Sequence, residues 1–217
     1  ARGEDAALPT DVFRFARVAA HAPEHDVRVF RTSGTTSGAR GQHFFRDLSL
    51  YDRAAKAWAA RMLFADGPMR LVVLAPDETS YMRSRFATWF ATRSSVRSEA
   101  SASSSDVSSS TVPSSVTFCW RDGSLDVDAL VAALSETREP IALLGTSFAF
   151  VFAEDALAER SVRFALAAGS RVMQTGGFKG RTREVSPDAM LAMLSARYGV
   201  PEERVVAEYG IDRKSVV

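Results

Sequence analysis

The residues best suited to chemistry lie together in one segment, Arg31-Thr32-Ser33-Gly34-Thr35-Thr36-Ser37-Gly38-Ala39-Arg40-Gly41. Glycines let a main chain turn tightly and bring its N–H groups up to an anion. The hydroxyls add donors, and Arg40 adds a fixed positive charge. Such a segment suits the phosphate chain of a nucleotide, although the same residue types also make ordinary solvated loops. It is neither the Gly-Lys-Ser/Thr phosphate loop nor Gly-x-Gly-x-x-Gly.

Other reactive side chains are sparser. His21 and His25 have the i, i+4 spacing of a helical metal pair, but Pro23 lies between them and no third ligand is near, so both are expected at the surface. His43, two residues past Gly41, either meets a phosphate or substrate or is a half-exposed loop histidine. Asp122, Asp126 and Asp128 read as a turn and a helix start rather than a metal cluster. No Gly-x-Ser-x-Gly elbow appears. The single cysteine, Cys119, falls in a strand-like stretch beside Trp120 and reads as a buried structural thiol.

The elements that must carry these residues alternate. Asp26 to Phe30 reads as a strand, Phe44-Phe45 as a short apolar pair, and Ser49 as the cap of a helix to about Phe64, with Leu50, Ala54, Trp58 and Met62 recurring every fourth position and Gly67 ending it. Met69 to Leu74 reads as a buried strand and Tyr81 to Phe90 as a helix. Val116 to Trp120 is strand-like and Asp126 to Leu134 helical. Ile141 to Leu144 is a strand running into Gly145-Thr146-Ser147, followed by an apolar helix from Phe148 to about Leu157. Arg171 to Met173 is a strand running into Thr175-Gly176-Gly177. Ser186, Pro187, Asp188 and Gly199 punctuate a further helix, and Arg204 to Glu208 is a last strand ending at Tyr209-Gly210. This alternation predicts an α/β fold with a largely parallel sheet flanked by helices. Ligands of such sheets bind at the carboxyl ends of strands, which makes three loops candidates: Thr32 to Gly41, Gly145 to Ser147, and Thr175 to Gly180.

The expected organisation is an irregular or helical lead-in over 1–25, an α/β region over 26–210 and an aberrant tail over 211–217. Between Ser94 and Ser115 more than half the residues are serine and almost none is apolar, which predicts a disordered insertion. With 46% hydrophobic residues the chain can bury a substantial core. Its 27 Lys and Arg against 26 Asp and Glu leave no broad electrostatic footprint for nucleic acid or an anionic membrane. No apolar run suggests a signal peptide or a membrane span, and one cysteine fits a reducing compartment, so a soluble cytoplasmic protein is expected.

Taken together, the three loops resemble a known family. Thr32-Ser33-Gly34-Thr35-Thr36-Ser37-Gly38 resembles the phosphate-binding signature of the adenylate-forming ligases, and Glu208-Tyr209-Gly210 resembles the start of their Tyr-Gly-x-Thr-Glu motif. Within that superfamily, Phe30 to Gly38, Leu144 to Phe150 and Gly169 to Arg181 are most similar to the LuxE-type acyl-protein synthetases, which are ATP-dependent long-chain fatty-acid ligases. The resemblance implies part of a ligase N-terminal domain. A carboxylate would attack the α-phosphorus of ATP to give an acyl adenylate and pyrophosphate, with Mg²⁺ as cofactor. The acyl group would then pass to a protein thiol and on to a fatty-acid reductase partner.

By that resemblance Ser33 to Gly38, with Thr35 among them, would hold the β- and γ-phosphates, and Arg40 would stabilise the developing charge. Gly176 and Gly177 would lie against adenine or the acyl adenylate, Lys179 and Arg181 would neutralise phosphate, and Tyr209 would stack on adenine beside Gly210. Phe148, Phe150 and Phe152 would line an acyl channel unless they are plain core. The sequence departs from the family after Gly210. Asp212 and Arg213 stand where Thr and Glu are expected, and an arginine cannot ligate Mg²⁺. A truncated or frame-shifted fragment with little ligase turnover is therefore expected. A phenylacetate-type acyl-CoA ligase and a nucleotide-binding remnant without catalysis are the alternatives.

Overall fold

The computed structural model describes residues 9–31, 41–75, 81–90, 116–136, 138–176 and 182–208. The chain divides within its first long helix. One unit runs to Ala55 and a second runs from Lys56 to Tyr209.

The first unit contains a two-stranded antiparallel ribbon of β1 (Arg28–Arg31) and β2 (Gln42–Phe45), in which Arg31 pairs with Gln42. Short 3₁₀ turns at Thr10–Arg14 and Pro23–His25 precede it. Phe30 and Phe45 meet edge-to-face with centroids 5.3 Å apart, and Phe30 stacks at 5.1 Å on Tyr51 of α1 (Ser49–Met62). Ser49 is the first residue of that helix rather than its cap. Its amide donates to Asp47 Oδ1 at 2.6 Å, and that bond is the largest cause of a lowered Asp47 pKa. The fourfold stripe of Leu50, Ala54, Trp58 and Met62 lies on the exposed side of the helix. Ala59 and Leu63 are buried, whereas Leu50, Trp58 and Met62 are 76%, 36% and 40% exposed.

The second unit is an α/β layer structure. Its sheet comprises β3 (Arg70–Leu74), β4 (Val116–Phe118), β7 (Ile141–Thr146), β8 (Arg171–Thr175) and β9 (Val205–Glu208). The five strands are parallel and lie in the order β4-β3-β7-β8-β9. Renumbered within the sheet this is 2-1-3-4-5, one of the two common doubly wound orders. The intervening elements are α2 (Tyr81–Phe90), a small hairpin of β5 (Trp120–Arg121) and β6 (Ser124–Leu125), α3 (Val127–Ser135), α4 (Ser147–Glu159) and α5 (Pro187–Tyr198).

Handedness explains where the helices go. The β3-to-β4 connection, through α2, runs one way along the sheet. The connections to β7, β8 and β9, through α3, α4 and α5, run the other way. Right-handed crossovers must then put α2 on one face and the other three opposite. Strand residues sort in step. Leu71, Val73, Ala142, Leu144 and Met173 pack with Phe86 and Phe90 of α2, while Val72, Leu74, Leu143 and Val172 pack with Leu130, Phe150 and Leu194. Burial on both faces is why Leu71–Leu74 and Ile141–Leu144 are continuously apolar instead of alternating.

In α3 and α5 the helix punctuation agrees with the sequence. Asp126 Oδ1 accepts from Ala129 N at 2.9 Å to cap α3, so this carboxylate is a cap, and Ser186 Oγ accepts from Ala189 N at 3.3 Å to cap α5. Gly199 closes α5 at φ +64, where a Cβ would come within 2.7 Å of Phe164 O. The Val116–Trp120 stretch is broken at Cys119, whose N–H donates to Val73 O at 2.9 Å while its carbonyl accepts from Asp126 N at 3.0 Å. The serine run 94–115 lies outside the described residues.

Candidate functional site

Ligands of an open parallel sheet bind beyond the strands' carboxyl ends, where neighbouring connections leave in opposite directions. Here that switch point lies between β3 and β7, because β3 continues towards β4 and β7 towards β8. Thr146 and Ser147 stand at the end of β7, and register places Thr146 opposite Thr175, and Thr175 opposite Glu208. The carboxyl ends of β7, β8 and β9 thus form one row.

The β7–α4 junction is built from small and hydroxyl residues for steric reasons. Gly145 lies under α4, where a Cβ would come within 2.9 Å of the Phe150 ring and 3.1 Å of Leu74 Cβ. Thr146 holds an extended conformation (φ −84, ψ 155), and its hydroxyl oxygen accepts from Ala149 N at 3.4 Å, capping α4. Ser147 is only 3% exposed. Its hydroxyl lies 2.5 Å from Gln174 Oε1 and donates to Gly176 O at 2.7 Å. Gly176 takes the left-handed region at φ +75, with open space where a side chain would be. The arrangement joins two of the three candidate loops through side chain and main chain.

The third candidate loop is placed differently. Its flanks, Arg31 and Gln42, are partners in the antiparallel ribbon, so the segment closes a hairpin and does not follow a strand of the parallel sheet. Thr32, Ser33, Gly34, Thr35, Thr36, Ser37, Gly38 and Arg40 lie outside the described residues, as do Gly177, Lys179, Arg181, Tyr209 and Gly210.

The aromatic row on α4 is not one surface. Phe150 is 1% exposed and packs in the core against Tyr198. Phe148 and Phe152 instead form an edge-to-face cluster with Trp120, with centroids 6.0 to 6.5 Å apart. Phe150 therefore cannot line a channel shared with its two neighbours. Adjacent turns of the helix carry them to a different side.

Cys119 is fully buried, and burial, reinforced by the charge of Asp126, pushes its thiol up to about 12. A thiol held protonated is a poor nucleophile. The Tyr198 hydroxyl is wholly buried with no hydrogen-bond partner among the described residues, and burial raises its pKa. Next to it, Arg197 is held by Glu154 at 2.8 and 2.5 Å and also donates to Val162 O, which braces α5 against α4.

In the first unit, His21 is not a surface residue. Its Nε2 lies 2.8 Å from Asp26 Oδ1, and Arg17 donates to the same oxygen at 2.7 Å while its guanidinium sits over the Phe44 ring. Burial works to raise the Asp26 pKa, but hydrogen bonds from Arg17 and His21 outweigh it and hold the carboxylate below its ordinary value. His25 is exposed, and among the described residues no group of three or more His, Cys, Asp or Glu could hold a metal ion. His43 lies in β2, half-buried, with its ring 4.6 Å from that of Phe13.

Sequence reasoning did not find Gln174, Arg17 or the bridge from Ser147 to Gly176. A glutamine inside the apolar run Val172-Met173-Gln174 was the available signal, because a polar group in a strand covered on both faces needs a partner. No described helix is long and apolar enough to cross a membrane. No protein-family model, curated protein or solved structure matches this chain.

Proposed function

We propose that the chain carries the nucleotide-binding part of an acyl-adenylating ligase, with ATP lying across the carboxyl ends of β7, β8 and β9. The observation that carries this reading is the row formed by Thr146, Thr175 and Glu208, which brings the Gly145-Thr146-Ser147 and Thr175-Gly176 motifs side by side at the edge used by nucleotide sites. Gly176 and Gly177 would offer main chain to the adenine or adenylate, and Tyr209 would follow directly from β9 to stack on the base. Lys179 would add charge at the phosphates, and the family resemblance alone gives Thr32 to Gly38, Thr35 included, with Arg40, a phosphate-binding role. A fatty carboxylate would attack the α-phosphorus, forming a C–O–P link as pyrophosphate leaves. Magnesium would neutralise phosphate charge, but Arg213 stands where the family's acid is expected and opposes a cation there.

That departure favours a second outcome, nucleotide binding with little turnover. Titration with MgATP and with AMP tests binding, and pyrophosphate release with a long-chain fatty acid tests adenylation. Binding with slow release is expected, and Asp212→Thr combined with Arg213→Glu should speed release. A chain that binds neither nucleotide would sink the proposal. Transfer of the acyl group to free coenzyme A would favour an acyl-CoA ligase.

A further inference from the structure

We infer that Arg171 and Arg204 form a binding site for a phosphate dianion, free or as the head of a small ester, at the amino edge of the parallel sheet. Asp66 is the internal anion that such a ligand displaces. The site is independent of the nucleotide reading above, whose residues lie at the other end of the strands. Along β8 alone, Arg171 stands about 13 Å from Thr175. Register puts the two arginines side by side. Val172 pairs with Val205, and Arg171 and Arg204 immediately precede them. Side chains alternate along a strand, so Arg171 shares the α2 face with Met173.

One carboxylate answers both cations. Arg171 Nη2 donates to Asp66 Oδ2 at 3.1 Å, and Arg204 Nη1 reaches the same oxygen at 3.5 Å. Two positive charges against one negative leave the pair cationic, and Glu202 and Glu203 bridge to neither arginine among the described residues. The Arg171 side chain is only 13% exposed, so water compensates its charge poorly. Its Nε is buried with no hydrogen-bond partner among the described residues. Nε–H and one Nη2–H point the same way along one edge of a guanidinium, and Asp66 fills only the Nη2 half of that edge. A tetrahedral oxyanion spans both halves and keeps oxygens for Arg204. A dianion also brings two negative charges where Asp66 brings one. Asp66 lies in the connection between α1 and β3 and is 53% exposed, so it can turn out to water as the ligand enters.

The test titrates the full ¹⁵N-labelled chain with inorganic phosphate at constant ionic strength and about pH 8, where phosphate is mostly the dianion. Saturable shifts are expected in the Arg171 and Arg204 Nε–H signals and in amides 171–172 and 204–206. Arg204→Gln should weaken binding at least about tenfold, the loss of charge-assisted bonds. Arg204→Lys keeps the charge without the fork and should fall between, which preserves the comparison if the glutamine variant folds poorly. Asp66→Asn should tighten binding about fivefold, because a competing, partly exposed ion pair is gone. Glycerol phosphate binding as tightly as inorganic phosphate supports an ester head group, and binding of inorganic phosphate alone supports the free ion. No saturable shift at these residues, shifts confined to the carboxyl ends of β7 and β8, or an affinity unchanged by both Arg204 variants would overturn the site. Weaker binding in Asp66→Asn would overturn it too, because the carboxylate would then support the ligand rather than stand in its place.

Discussion

Three side chains behave differently from their ordinary chemistry because of what surrounds them. Cys119 has a thiol pushed up to about 12, first by burial and then by Asp126. It should resist alkylation in the folded chain at pH 8 and react only on denaturation, as followed by mass spectrometry; rapid native labelling would contradict its burial. Tyr198 keeps a hydroxyl with no partner among the described residues. Removing an unsatisfied buried polar group leaves the packing and deletes its desolvation cost, so Tyr198→Phe should raise stability by about 1 kcal/mol in a urea titration. Asp26 has a lowered pKa, so its contribution is full above the unfolded carboxylate value of about 4 and disappears as pH falls through the lowered folded value. Amide exchange in Arg28–Arg31 should quicken over that acid window, and Asp26→Asn should flatten the dependence. A pH-independent wild-type ribbon would exclude this linkage. The burial of Cys119 was legible in its strand-like stretch, whereas the Arg17 and His21 partners of Asp26 and the unpartnered Tyr198 hydroxyl were not.

Among the elements, regular ones with clear caps were legible and irregular joins were not. Ser186, Pro187 and Gly199 bound α5 as expected, since capping chemistry is local. The face that α1 buries was not legible, because both its stripes are apolar and only packing on α2 and the sheet selects Ala59 and Leu63. At the β7–α4 join, Gly145 first reads as part of a ligand loop, yet its position has a packing reason as well. Gly145→Ala would push a methyl into Phe150 and Leu74 and should cost about 1–3 kcal/mol by thermal denaturation. An alanine variant as stable as the wild type would remove that reason and leave ligand contact as the explanation for the glycine.

At the scale of the whole molecule, the parallel sheet follows from the alternation of apolar strands and helices, and right-handed crossovers put α2 on one face and α3, α4 and α5 on the other because the strand order reverses after β4. The serine run between α2 and β4 has only Val96, Val107 and Val112 as larger apolar residues to offer a core. Replacing 94–115 by a Gly/Ser linker of half its length should change stability by only about 0.6 kcal/mol, the loop-closure difference, and a much larger loss in calorimetry would mean that the run packs.

The sequence by itself determined the α/β class, most strands and helices of the second unit, the burial of Cys119 and the residue types at the candidate loops. Those properties are set by period, propensity and capping, which act over a few residues. Only the tertiary structure decided that Gly145–Ser147 and Gln174–Gly176 meet, that Thr32–Gly41 spans a hairpin rather than a parallel strand end, and that Phe150 turns away from Phe148 and Phe152. Those outcomes depend on strand order and register, which are fixed by packing between residues far apart in the chain.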